Sequence, residues 1–324
     1  MKIFHFNSCL AEHMERFVAL RRLSGTDYQS QTMLLEYFDR FLVTDNFKIP
    51  YLTSDTIHRY LAGISHLHVR TQYNRFSVVR QFCCYLSQFE PRCYLPEPIR
   101  SISSASSLVP YIFTKTEIRA LLARAAGLLP QHSLRPHTCY TLFGLLYTTG
   151  LRIGEALALD IKDVYLDSSR LHVREGKFHK DRWVPLASST CAVLEKYINR
   201  RQHCLSPGPD SPLFISLRAS RLQHCTVYRT FRILLKDIGI RDHKGPGPRI
   251  HDLRHTFAVH RLLDWYRDGR DINARLPALA TYMGHVGVGS TQVYIQAIPE
   301  LFEEAHQRSL TYFHQNFITK GGMS

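Results

Sequence analysis

At 324 residues, 44% of them apolar, the chain has the length for two domains and the material for a core in each. No uninterrupted apolar run nears the ~18 residues of a membrane helix. Met1-Lys2-Ile3-Phe4-His5 also lacks the apolar segment of a signal peptide, so a cytoplasmic protein with no membrane partner is expected. Lys and Arg outnumber Asp and Glu by 41 to 27, and the surplus is uneven: 12 against 9 before residue 111, 29 against 18 after it. Such a surplus fits either a solvated basic surface or a polyanionic partner such as nucleic acid, engaged mainly by the second part of the chain. The eight cysteines form no Cys-x-x-Cys pair and read as reduced, mostly packed thiols.

Residues 1–90 read as helices. The first covers 11–23. Over 30–42, Leu34, Leu35, Phe38 and Phe41 recur on a 3.6-residue period, which predicts a second helix with one buried face. A third, over 53–65, opens on an N-cap, either Thr53 or Ser54. The longest covers 71–89 and lines up Phe76, Val79, Phe82, Cys83 and Leu86 on one stripe. Arg70, Arg75 and Arg80 decorate it, either as solvated arginines or as contacts to a DNA phosphate backbone. Pro91, Pro96, Pro98, a serine run between 101 and 107, and Pro110 then break the helical pattern. Residues 91–110 are therefore read as an extended linker and 111–324 as a second domain.

That domain starts with a helix at Thr114, and Glu117 three residues later has the spacing of a capping box. An apolar helix over 138–148 stops at Gly150. Arg152 falls in the first turn of the next helix, with Glu155 one turn on and able to hold its guanidinium. A first-turn cation opposes the helix dipole, which favours anions there by roughly 0.3–1 kcal/mol. Its position makes sense where an anion is to bind, although a plain Arg–Glu surface pair explains the same residues. The period then falls to two: 163–165, 170–173 and 182–186 read as short strands, and the last two flank a turn that projects Lys177. Helices return over 190–200, 226–238, 251–266 and 278–283, the last preceded by a long polar connection over 268–276. A final helix is expected over 301–313. The fold class is mainly α with a small antiparallel β-sheet.

The stretch 251–294 holds the densest chemistry. His251 and Arg254, three apart, share a helix face; His285 follows a Met283-Gly284 break, and Tyr294 comes nine residues later. An arginine, two imidazoles and a phenol suit an anionic phosphate attacked by an oxygen nucleophile. His251 and His255 also have the spacing of a helical zinc pair, with Asp252 where zinc peptidases carry Glu. Zinc beside Arg254 is electrostatically poor, only His285 offers a third ligand, and Arg152, Lys177 and Tyr294 would go unexplained. No metal ligand is assigned, and His255 is read as a hydrogen-bonded core histidine.

Taken in order, Thr149-Gly150-Leu151-Arg152-Ile153-Gly154-Glu155, Gly176-Lys177, His251-Asp252-Leu253-Arg254-His255-Thr256-Phe257, Gly284-His285 and Tyr294 resemble the tyrosine recombinase (phage integrase and Xer) family. The likeness covers 111–298. Residues 1–90 look more loosely like that family's helical, SAM-like core-binding domain, mainly through 71–86. The resemblance implies a two-domain DNA clamp: a core-binding domain, a linker, and a catalytic domain ending in a helix that docks on a neighbouring protomer. It implies a site-specific recombinase, or integrase, serving a mobile element, which cuts and rejoins DNA through a 3′-phosphotyrosyl intermediate. In that pattern Arg152 and Arg254 hold the scissile phosphate, Tyr294 attacks it and Lys177 protonates the leaving oxygen. His251 assists proton transfer, His285 stabilises the phosphate and Glu155 supports Arg152. The implied partners are double-stranded DNA with inverted-repeat core sites and further copies of the chain, two on one site and four in a synapse. A partner recombinase or accessory protein is a further option. Met283 departs from the pattern, where Leu is commoner before Gly284-His285, and a separate arm-site-binding domain is not expected.

The residues make chemical sense of these roles. A phenol of pKa about 10 costs on the order of 4 kcal/mol to ionise at pH 7, which a neighbouring imidazole or two guanidiniums largely offset. Hydrogen bonds from arginine are worth roughly 1.5–3 kcal/mol each, and the planar fork matches two phosphate oxygens. With arginines neutralising the phosphate no cofactor is called for. Religation draws on the phosphotyrosine itself, and no Gly-x4-Gly-Lys-Ser/Thr nucleotide loop occurs. Two alternatives use the same residues: a DNA-binding protein of this fold without chemistry, and a type IB topoisomerase-like nicking and closing enzyme. Retention of all six site residues argues against the first.

Overall fold

The computed structural model describes residues 4–25, 27–98, 110–174, 181–203, 208–240 and 247–284. Lys177, His285, Tyr294 and the expected helix over 301–313 lie outside them. The chain forms two compact units, Met1–Leu108 and Val109–Ser324.

In the first unit, α1 (Ala11–Leu23), α2 (Gln29–Thr44), α3 (Ser54–Gly63) and α4 (Val69–Leu86) surround an aromatic core. The stripe expected on α4 is buried throughout, joined by Val78 and Tyr85. Phe82 meets Phe17 of α1 edge-on at 5.6 Å between ring centroids, and Phe38 of α2 meets Tyr60 of α3 at 4.8 Å. Such tilted pairs add roughly 0.5–1.5 kcal/mol beyond the area they bury. Thr53, rather than Ser54, caps α3 by accepting the Thr56 N–H at 3.2 Å. Asp39 is fully buried and accepts the N–H groups of Asn7 and Ser8 at 2.8 and 3.0 Å, pinning the lead-in segment to α2. The packing of this unit runs past residue 90. Cys93 is buried in its core, the Tyr94 N–H donates to Leu52 O, and Arg80 Nε donates to Pro96 O.

The second unit opens with α5 (Lys115–Ala126), whose expected capping box is present: Thr114 Oγ1 accepts from Glu117 N at 3.1 Å, and Glu117 Oε2 accepts from Thr114 N at 2.8 Å. Then come α6 (Leu134–Thr149) and the short α7 (Ile153–Ala158). Strands β1 (Val164–Tyr165), β2 (Arg170–Val173) and β3 (Arg182–Pro185) form an antiparallel sheet in the order β1-β2-β3. Leu171 pairs with Val184 and Val173 with Arg182, so Leu171, Val173 and Val184 face the core while Trp183 stays exposed. The unit continues through α8 (Ser188–Gln202), α9 (His224–Asp237), α10 (Ile250–Arg267) and α11 (Ile272–Met283).

Two sequence expectations are corrected here. Residues 272–276 are not connector but the start of α11, because Asp271 caps them by accepting the N–H groups of Asn273 and Ala274 at 2.8 and 3.3 Å. Pro277, the sixth residue of α11, lies beyond the first four positions whose N–H groups are unpaired in any case, yet the helix runs on through it to Met283. Arg152 is not in the first turn of α7. It is the N-cap, with extended backbone. Between α6 and α7, Gly150 closes α6 at φ +62°, and a Cβ there would lie 2.4 Å from the Phe257 ring of α10. Only glycine meets both demands. Among the described residues no helix is long and apolar enough to cross a membrane.

Candidate active site

Arginines 152, 182 and 254 converge on the end of α11. Arg254, in the second turn of α10, is only 2% exposed, yet its guanidinium has strong acceptors. Nη1 donates to Gly150 O and Nη2 to Met283 O, both at 2.6 Å. These carbonyls end α6 and α11, where helices leave acceptors unpaired and carry their negative dipole ends. A buried cation there gains hydrogen bonds and field together, which offsets its desolvation.

Arg152 is three-quarters buried. Its backbone N–H donates to Glu155 Oε2 at 2.9 Å and its Nη1 to Glu155 Oε1 at 2.7 Å, while Nη2 reaches Gly284 O at 3.0 Å. Glu155 does hold the guanidinium, as its spacing led one to expect. Its carboxylate is 8% exposed and shared with a second arginine, Arg182 at the start of β3. Arg182 Nη1 donates to Oε1 at 3.0 Å, Nη2 to Oε2 at 2.8 Å, and Nε to Tyr282 O at 3.1 Å. Burial on its own would raise the Glu155 carboxyl. Hydrogen bonds and charge from Arg182, then Arg152, overcome it and hold the group at about 2. Three successive carbonyls of one turn, at 282, 283 and 284, thus each receive a different arginine. That turn leads directly into His285.

His251 sits at the start of α10 with part of its side chain open to solvent. Desolvation of its ring, then the charges of Arg254, Arg249 and Arg152, push its pKa below the ordinary 6.5 against an opposing pull from Asp252. His255, half-buried, is pushed to about 4 by burial and then by His251, whose ring stands edge-on at 4.7 Å. Both imidazoles are therefore neutral at pH 7. Asp252 caps α10: Oδ2 accepts Arg249 N at 2.7 Å and Oδ1 accepts Arg249 Nη2 at 3.0 Å. Among the described residues no three His, Cys, Asp or Glu side chains gather as a metal site.

Residues 112–300 match the model of the phage integrase family. The protein named "Putative integrase/recombinase y4rB" of Sinorhizobium fredii is 36% identical over 306 residues, 93% of this chain and 97% of the relative. This chain belongs to the phage integrase family. Tyrosine recombinase XerC of Pelobacter propionicus is 26% identical over 79% of this chain and 80% of its own length. The fold matches that of the XerH site-specific recombinase bound to difH substrate, at TM-score 0.65 and 17% identity over 94% of this chain and 97% of that one. It matches the Tn1549 transposon integrase in complex with transposon right end DNA equally well, at TM-score 0.65 and 16% identity over 92% and 99%.

Within this tyrosine recombinase, then, the structure brings Arg152, Arg254 and Glu155 together, with His251 on the same helix as Arg254. The arginines singled out on α4 do not form a group. Arg70 is exposed, Arg80 is tied to Pro96 O, and Arg75 lies 4.3 Å over the Tyr37 ring. Arg182 was missed as a site residue. At the first position of a strand it carries no local signal, and its partners lie 27 and 100 residues away.

Proposed function

We propose that this recombinase cuts and rejoins DNA at specific sites, with Tyr294 as nucleophile and Arg152 and Arg254 as the clamp on the scissile phosphate. The observation that carries the reading is the convergence of both arginines on the turn before His285, one helical turn along α10 from a neutral His251. The Tyr294 phenol loses its proton, its oxygen bonds to phosphorus, and the P–O5′ bond breaks to leave a 3′-phosphotyrosine. Lys177 gives its proton to the departing 5′-oxygen. Arg152 and Arg254 meet the non-bridging oxygens, where bonds that tighten as charge builds up lower the barrier. His251, its pKa lowered by desolvation and then by its cationic neighbours, is fit to accept a proton, and His285 adds a donor to the phosphate. A 5′-hydroxyl from the partner duplex then reverses these steps, so the bond energy is retained and no nucleotide is consumed.

The uneven basic surplus of the second unit and the DNA-bound state of the XerH and Tn1549 proteins support DNA as partner. Two protomers on an inverted repeat and four in a synapse complete the proposal, with a mobile element as its setting. Covalent trapping on nicked duplexes from the gene's own locus, with EDTA present, tests it. Wild type is expected to give an adduct mapping to Tyr294, and Tyr294→Phe to bind DNA within about threefold while giving none. Binding without any adduct would replace this reading with a DNA-binding protein of the same fold.

A further inference from the structure

We infer that Arg182 is a positioning residue for strand cleavage: by neutralising Glu155 and holding Tyr282 O, it leaves Arg152 charged and correctly placed for the phosphate. The inference rests on the recombinase reading above.

Glu155 approaches Arg152 twice, through the N-cap N–H and through Nη1. Alone, that pair would place Arg152 well but cancel its charge, because a buried carboxylate beside a guanidinium is close to neutral as seen from the phosphate. Arg182 changes the balance. Its fork covers both carboxylate oxygens, the geometry that a guanidinium and a carboxylate fit best. Two guanidiniums against one carboxylate leave one net positive charge. Only 13% of the Arg182 side chain is exposed against 24% for Arg152, so the surplus is presented at Arg152. The third donor of Arg182 goes to Tyr282 O, in the turn whose next two carbonyls accept from Arg254 and Arg152. Gly284 leaves room for this arrangement, since a Cβ on it would stand 3.1 Å from Arg182 Nη1. Arg182 therefore ties β3, α7 and the end of α11 into one frame around Arg152. A lysine, with one point of charge, cannot cover two carboxylate oxygens and a carbonyl in this way.

The test uses full-length protein and single-turnover adduct formation on nicked duplexes carrying either the natural phosphate or a methylphosphonate at the scissile position. The neutral methylphosphonate needs less positive charge in its transition state. Arg182→Met is expected to slow adduct formation about 10- to 100-fold on the phosphate with DNA affinity within about threefold of wild type. On the methylphosphonate the same deficit is expected to shrink at least about fivefold, and Arg182→Lys should fall between Met and wild type. A rate within about twofold of wild type, or equal deficits on both substrates, would overturn the inference, since a merely structural loss slows both alike. Should Arg182→Met melt below the assay temperature, Arg182→Gln, which keeps a donor for Tyr282 O, is judged by the same criteria. A wild type that forms no adduct with the phosphate would count against the recombinase reading, whereas an active wild type with an unaffected Arg182→Met variant counts against Arg182 alone.

Discussion

The two units spend their buried groups differently. In the first, rings and aliphatic side chains fill the core, and its buried carboxylate, Asp39, is satisfied by two backbone N–H groups near the chain start. In the second, an aliphatic and aromatic core of the same kind is interrupted where α6, α7, β3, α10 and α11 meet, and Arg254, Glu155 and most of Arg182 are buried there. Burying charge seldom adds net stability compared with apolar packing. Here that cost falls at the proposed phosphate site, although the unit also buries Asp160 and Asp163 against Arg174 and Arg221. The first unit illustrates apolar packing sufficient for a helical bundle, and the second shows such packing carrying a preorganised ionic frame.

The sharpest way to break this comparison is Arg254→Lys. A lysine cannot reach Gly150 O and Met283 O together, and strand cleavage is expected to fall by about 10³-fold or more, on the order of 4 kcal/mol. A lysine variant that cleaved within tenfold of wild type would demote the frame to ordinary packing. Phe38→Ala is the counterpart in the first unit. It should cost roughly 3–5 kcal/mol through a cavity beside Tyr60. Hydrogen exchange is expected to quicken across α2, α3 and α4 while the amides of α10 keep their protection. Matching losses in α10 would mean that the two units do not hold their stability separately.

The smallest effect sharpens the contrast by pH. Glu155 is held at about 2 in the folded protein and titrates near 4.3 when unfolded, so its folded pKa is depressed. Its contribution is therefore complete above the unfolded value and lost as pH falls from about 4 through 2, on the order of 3 kcal/mol in all. Glu155→Gln is expected to lower stability at pH 7 and to flatten the acid-unfolding curve over that window. An unchanged acid limb would mean that other carboxylates carry it.

Much of this was legible in the chain. Residues 11–23 and the buried stripe of α4 follow from a period that neighbouring residues impose on one another. The capping box at Thr114 and Glu117 is a bond across three residues, so spacing suffices to find it. Arg152, Glu155 and Arg254 stood out by type and order. The start of α11 was hidden because 268–276 reads as a long polar connection, while the Asp271 cap that starts the helix is only one side chain. The role of residues 91–98 was hidden too. Pro91 and Pro96 read as linker, but Cys93, Tyr94 and Pro96 are claimed by the core, by Leu52 and by Arg80.

The sequence by itself determined where most helices run, the family to which the chain belongs and which side chains have the chemistry for a phosphate, because these depend on periodicity, capping and motif order over short distances. Only the tertiary structure decided that Arg152 stands at an N-cap, that Arg182 shares Glu155 with it, and that three arginines divide the carbonyls at 282, 283 and 284 among them. Those bonds join residues up to 132 positions apart. What they satisfy is the set of unpaired acceptors at a helix end, which exists only once the helices have met.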